Sequence, residues 1–155
     1  MDKVIERLAE MQLQLPSRCE PRGNFVPFKR SGAIVYLAGQ ICEWNGTVEY
    51  QGQVGKDLDL ETAHKAARIC ALNLLFHLRI ACGGSLERIS ECLRVGGFVN
   101  CVPGFPSPPA VINGASDLFV ALFGDAGRHA RTAVGVAALP GNAAVEVDAI
   151  FALHP

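Results

Sequence analysis

Arg131 opens a run of small aliphatic residues, RHARTAVGVAALP (128–140), and Glu146 interrupts the next, AVEVDAIFAL (144–153). A guanidinium fork binds a carboxylate bidentately, so Arg131 is a candidate anchor for an anionic metabolite. A glutamate in the same cleft can orient or activate water. In a strand, successive side chains alternate faces, which puts Arg131 on one face with Ala133, Gly135 and Ala137. A cation beside so low a floor leaves room for a ligand or for a neighbouring subunit. His129 shares that face if the strand reaches back to it, although a loop histidine is the commoner explanation.

The same alternation puts Val145, Val147, Ala149, Phe151 and Leu153 on a core face. Glu146 and Asp148 then share the other face with Ala144 and Ile150. If residues 139–143 turn one strand directly into the next, Ala138 faces Ala144 and Arg131 faces about Phe151. Glu146 then lies roughly 16 Å from Arg131's partner at ~3.3 Å per residue. The two are therefore expected to cooperate only across a subunit interface.

Other chemistry is sparser. His64 and His77 sit 13 residues apart on one helical stretch, with no clustered carboxylate or thiol, which argues against a metal site. The six cysteines form no CxxC pair and several lie in apolar runs, the pattern of reduced thiols in a cytoplasmic protein. The net charge is −1 and the 14 Lys and Arg residues are scattered, which argues against nucleic acid as a partner. No cofactor motif is present. No apolar run approaches the ~20 residues of a membrane span.

The elements that must position these residues follow from periodicity. Residues 2–12 form a short amphipathic helix on Val4, Ile5, Leu8 and Met11. FVPFKRSGAIVYLAGQIC (25–42) reads as two strands joined at Ser31-Gly32, and 43–59 as a polar, glycine-rich loop. Asp59 caps a long helix whose stripe is Ala63, Ala67, Cys70, Leu74, Leu78 and Ala81, closed by Gly83-Gly84. ISECLRVGGFVNCV (89–102) is a strand with an expected bulge at Gly96-Gly97. Pro109 starts a second long helix, and two strands turning at LPGNA (139–143) end the chain. Strands in neighbouring groups with helices between them predict one α+β domain over 1–155, its helices on one sheet face. Half the residues are apolar and 19% charged, which suggests surface covered by another subunit.

LAGQI (37–41), the helix after VGKDLDLETA, FVN (98–100), HARTAVGVAALP and AVEVDAIFAL resemble the RidA/YjgF family of reactive-intermediate deaminases. They are most similar to the branch labelled chorismate-mutase-like or endoribonuclease. The likeness runs from about Gly23 to Leu153. It implies a chorismate-mutase-like α+β fold and a homotrimer with ligand clefts between subunits. It also implies hydrolysis of 2-imino or enamine acids to 2-keto acids and ammonia. Arg131 matches the family's carboxylate-gripping arginine, Glu146 its cleft glutamate, and Gly39 the GQ motif of the cleft wall.

The chain departs from the deaminase pattern at three polar positions. Phe25 stands for a tyrosine, Ala38 for serine or threonine, and Ala133 for cysteine. Phe25 and Phe105 are candidate cleft walls, and Asn113 or Ser116 is placed to replace a family asparagine beside the proline-rich PGFPSPP (103–109). Two readings stay open: an imine hydrolase, and a non-catalytic trimer that senses a metabolite. RNA cleavage is the least favoured, since it wants an acid, a base and a positive surface.

Overall fold

Local capping sets where the helices begin. In the computed structural model, which describes residues 1–155, Asp59 accepts from the Thr62 N–H at 2.8 Å and starts helix α2, Leu60–Ala81. Gly83 and Gly84 then take φ of +73° and +107°, left-handed values open to glycine, and end it. Helix α1, Lys3–Glu10, is capped by Asp2, whose Oδ1 accepts from the Val4 and Ile5 N–H groups. The other Asp2 oxygen accepts from Ser85 Oγ at 3.2 Å and the Leu86 N–H at 2.7 Å, tying α1 to the turn after α2. Helix α3, Pro108–Phe123, begins on two prolines, whose missing N–H groups cost nothing in a first turn.

Strands β1 (Phe28–Ser31) and β2 (Ile34–Ile41) form the expected hairpin. The polar loop after them holds a small two-stranded ribbon, β3 (Glu43–Trp44) and β4 (Thr47–Val48). Strands β5 (Ile89–Asn100), β6 (Ala130–Val136) and β7 (Val145–Leu153) complete a five-stranded sheet ordered β1-β2-β7-β5-β6. The sheet is mixed: β5 and β6 run parallel, the other pairs antiparallel.

Two expectations are corrected. The last two strands are not a hairpin, because β5 lies between β6 and β7. Arg131 accordingly pairs with Val95 rather than facing Phe151, whose partners are Val35 and Cys92. The register shifts of β5 fall between Ile89 and Glu91 and between Cys92 and Arg94, not at Gly96-Gly97. Those glycines instead make space. A Cβ on Gly97 would meet the Ile112 side chain of α3 at 2.5 Å, and one on Gly96 would meet the Asp148 carboxylate.

Burial follows the alternation in β7: Val145, Val147, Ala149, Phe151 and Leu153 are all buried, and Glu146, Asp148 and Ile150 are not. Each large apolar side chain so buried contributes about 1.5–3 kcal/mol. A one-residue slip would drive two carboxylates into that core, so the register is firmly set. Ala144, just before the strand, is also fully buried. Helices α2 and α3 cover this face and cross closely at Gly114, where a Cβ would run into the His64 carbonyl. The opposite face carries exposed Tyr36 and Val134. No helix is long and apolar enough to cross a membrane.

Candidate functional site

β6 is an edge strand, and its Arg131 side chain reaches along the outer surface of α3. Nη1 donates to Asn113 Oδ1 at 2.7 Å and to Ser116 Oγ at 3.1 Å, and Nη2 donates to the Pro109 carbonyl at 3.3 Å. All three acceptors are neutral, and Arg131 makes no ion pair. A guanidinium has five N–H donors, so these bonds fix its plane and leave two donors, enough for one bidentate carboxylate. Asn113 and Ser116 were alternatives for one role, and both hold the guanidinium. The PGFPSPP segment contributes through the carbonyl of Pro109, in the first turn of α3.

Ser116 is held in turn. His129, just before β6, places Nε2 at 2.8 Å from Ser116 Oγ and Nδ1 at 2.7 Å from the Gly127 carbonyl. Burial, reinforced by the charge of Arg131, lowers the His129 pKa and keeps the ring neutral near pH 7. Ala133 lies on the same face as Arg131, two residues along β6. Phe105 is half-buried and lines a separate hollow of about 300 Å³ with Cys101, Gly135 and Ala137.

Glu146 is elsewhere. It points from the opposite sheet face into a cavity of about 360 Å³ that Phe25, Ala38 and Gly39 also line. Gly39 lets the carboxyl lie close against β2: a Cβ there would sit 2.9 Å from Glu146 Oε2 and push the side chain aside. Burial, with the charge of Asp148 second, raises the Glu146 pKa, so the carboxyl holds its proton further toward neutrality than a solvated one. Within one chain, then, Arg131 stands in one cluster, with Ala133 only sharing its strand face, Glu146, Phe25, Ala38 and Gly39 line another, and Phe105 stands in a third place.

The Glu146 cavity also contains an ion pair that no motif announces. Arg22 donates to Glu43 Oε2 through Nε at 2.9 Å and through Nη2, and Glu43 is 4% exposed. Twenty-one residues separate the pair, and only the fold of the 11–27 segment over β3 joins them. Asn73 on α2 supports the floor, donating to the Ile41 and Glu43 carbonyls at 3.3 and 2.7 Å. Cys19 is no nucleophile: burial pushes its thiol up to about 12, and it donates to Gln40 Oε1 at 3.0 Å. All six cysteines are free, and no three His, Cys, Asp or Glu side chains gather in a way that would hold a metal ion.

Residues 5–153 match the family described as YjgF/chorismate mutase-like, putative endoribonuclease. Protein TCP17 of Trypanosoma cruzi is 39% identical over 153 residues, covering 98% of this chain and 95% of that protein. The crystal structure of Atu1372 from Agrobacterium tumefaciens, a protein of unknown function, aligns with a TM-score of 0.92 at 42% identity. That alignment covers 97% of this chain and 92% of the other. RidA from the Antarctic bacterium Psychrobacter sp. PAMC 21119 aligns with a TM-score of 0.60 at 25% identity, over 90% of this chain and 94% of its own. The likeness to Atu1372 is thus nearly complete in space, and that to RidA is coarser.

Proposed function

Because this chain belongs to the YjgF/chorismate-mutase-like family, we propose that it binds small carboxylates in clefts between the subunits of a homotrimer and hydrolyses 2-imino or enamine acids there. The observation that carries this reading is Arg131: a guanidinium held by three neutral acceptors, unpaired with any carboxylate of its own chain, with two N–H groups free. The Arg131 cluster and the Glu146 cavity lie on opposite faces of one sheet. They complement each other only if a neighbouring chain brings the second against the first.

In that cleft Arg131 of one subunit grips the substrate carboxylate and so sets the position of C2. Glu146 of the neighbour stands beside the attacking water. Water adds to C2 of the C=N bond, and the nitrogen takes up a proton. Collapse of the carbinolamine forms the keto C=O and releases ammonia. Burial raises the Glu146 pKa, so its carboxyl takes up and returns a proton more readily than a solvated one. Phe25 and Ala38 supply the apolar part of a lining that also carries Arg22, Glu43 and Glu146, and a neighbouring chain would cover the exposed Phe25.

The second reading, a binding trimer without turnover, is favoured by the apolar residues Phe25, Ala38 and Ala133 at the three departing positions. The assay that separates the readings uses freshly generated 2-iminopropanoate. Ammonia release is expected from the wild type and about a hundredfold less from Arg131→Ala, since two charge-assisted hydrogen bonds are lost. Arg131→Lys falls between, keeping the charge but losing the fork. Unchanged release from Arg131→Ala would refute the anchor. Binding of 2-keto acids without ammonia release would establish the sensor.

A further inference from the structure

We propose that Ser116 and His129, joined at 2.8 Å in a surface hollow that Arg131 also lines, form a nucleophile–base pair that hydrolyses small anionic acyl esters. The proton positions follow from the partners. A carbonyl oxygen only accepts, so the Gly127 contact at 2.7 Å requires the hydrogen on His129 Nδ1. In the neutral ring Nε2 is then bare, and the Ser116 hydroxyl must donate to it. The remaining face of Ser116 Oγ accepts from Arg131 Nη1 at 3.1 Å. The hydroxyl therefore has its proton aimed at a base and a cation against its lone pair. That is the arrangement an activated serine needs: nucleophile, base, and a group that orients the base.

The orienting group is rigid. Gly127 is buried, and a Cβ there would collide with the Phe119 carbonyl, so the backbone is pressed onto α3. The Phe119 ring stands edge-on to His129, with centroids 6.2 Å apart at 83°. No carboxylate touches the imidazole. Asp117 is turned to His64 at 3.6 Å and Asp125 to Arg128 at 3.4 Å, so the charge nearest the ring is Arg131. Buried and beside a cation, the ring stays neutral and able to accept a proton.

The hollow encloses about 230 Å³, lined by Ser116, Asp117, Val120, Arg128, His129 and Arg131. That is room for roughly eight waters at ~30 Å³ each, or one small acyl group. Arg131, the arginine there without a carboxylate partner, favours an anionic one, since Asp117 is turned to His64 and Arg128 to Asp125.

The chemistry balances without any other reactant than water. Ser116 Oγ attacks the ester carbonyl carbon while its proton passes to His129 Nε2, and the C=O pair moves onto oxygen beside the guanidinium. Collapse restores C=O, breaks the bond to the leaving oxygen, and that oxygen takes the proton from Nε2. A water then gives a proton to Nε2 and attacks the acyl-serine, and Oγ leaves and recovers its proton. The net change is ester plus water to acid plus alcohol. Arg131 is common to this chemistry and to imine hydrolysis, whereas Glu146 and a neighbouring subunit take no part here.

A fluorophosphonate probe and mass-spectrometric mapping test it on the intact protein. One label per chain on Ser116 is expected, together with hydrolysis of mono-p-nitrophenyl fumarate, whose trans carboxylate cannot attack its own ester, about fivefold faster than of p-nitrophenyl crotonate. Ser116→Ala removes the label. His129→Gln slows labelling at least a hundredfold while leaving the thermal midpoint within a few degrees. In the wild type the labelling rate rises with pH through the lowered His129 pKa. A folded wild type that carries no label on Ser116 would overturn the proposal, as would labelling that His129→Gln leaves unchanged.

Discussion

Gly114→Ala sets two well-understood effects against each other. On helix propensity alone, alanine in a helix interior is favoured over glycine by about 1 kcal/mol. Gly114, however, lies where α3 crosses α2, and a Cβ there would overlap the His64 carbonyl oxygen. It would also come to 2.9 Å from the His64 carbonyl carbon and 3.1 Å from Ala67 Cβ. Carbon pairs rest at about 3.5–4.0 Å, and the His64 carbonyl oxygen is the tighter obstacle, so the helices must part by more than about 1 Å. The obstacle is backbone, which cannot rotate away as a side chain tip would. Overpacking of this kind costs about 1–3 kcal/mol, and a rigid neighbour puts it at the upper end. Net of propensity, about 2 kcal/mol of destabilisation remains, or about 4–8 °C in thermal midpoint for a chain of this size. Thermal unfolding at matched protein concentration measures it, since association would make the midpoint concentration-dependent. The same shift would move Asn113 and Ser116 off Arg131, weakening 2-keto acid binding in parallel. A variant as stable as the wild type, or more so, would refute the reasoning.

Asp2→Ala removes the α1 cap and the acceptor shared by Ser85 and Leu86. It is expected to cost about 1–2 kcal/mol in denaturant unfolding, with amide exchange accelerated in α1 and in the turn after α2. The pH dependence of stability carries the signature of His129, which faces Arg131, Ser116 and the Gly127 carbonyl. Its folded pKa lies below the ordinary value of 6.5, with burial the chief cause, so the unfolded chain binds the proton more readily. Stability is then full above about pH 7 and falls as pH drops through 6.5 toward the lowered value. His129→Gln is expected to flatten part of that fall. The part due to His77 persists, because burial lowers its pKa in the same sense and both its ring nitrogens lack partners.

Local sequence chemistry determined much of the scaffold. The Asp59 cap, the stripe through Ala63, Ala67, Cys70, Leu74 and Leu78, the Gly83-Gly84 exit and the alternation of 145–153 each depend on neighbours within a few residues. Such signals are readable along the chain. Arg131 and Glu146 stood out for the same reason, as charges set into apolar strands. What pairing decided lay beyond them. A turn at LPGNA looks like a hairpin, yet β5 enters between β6 and β7, because the crossover through α3 lays β6 parallel beside β5. That insertion turns Arg131 toward α3 and leaves Glu146 on the far side of the sheet. The Arg22–Glu43 pair and the Gly127–His129–Ser116–Arg131 chain are also products of the fold. Their members are ordinary polar residues with no periodic or spacing signal, and only burial gives their contacts weight, by removing the water that would otherwise compete.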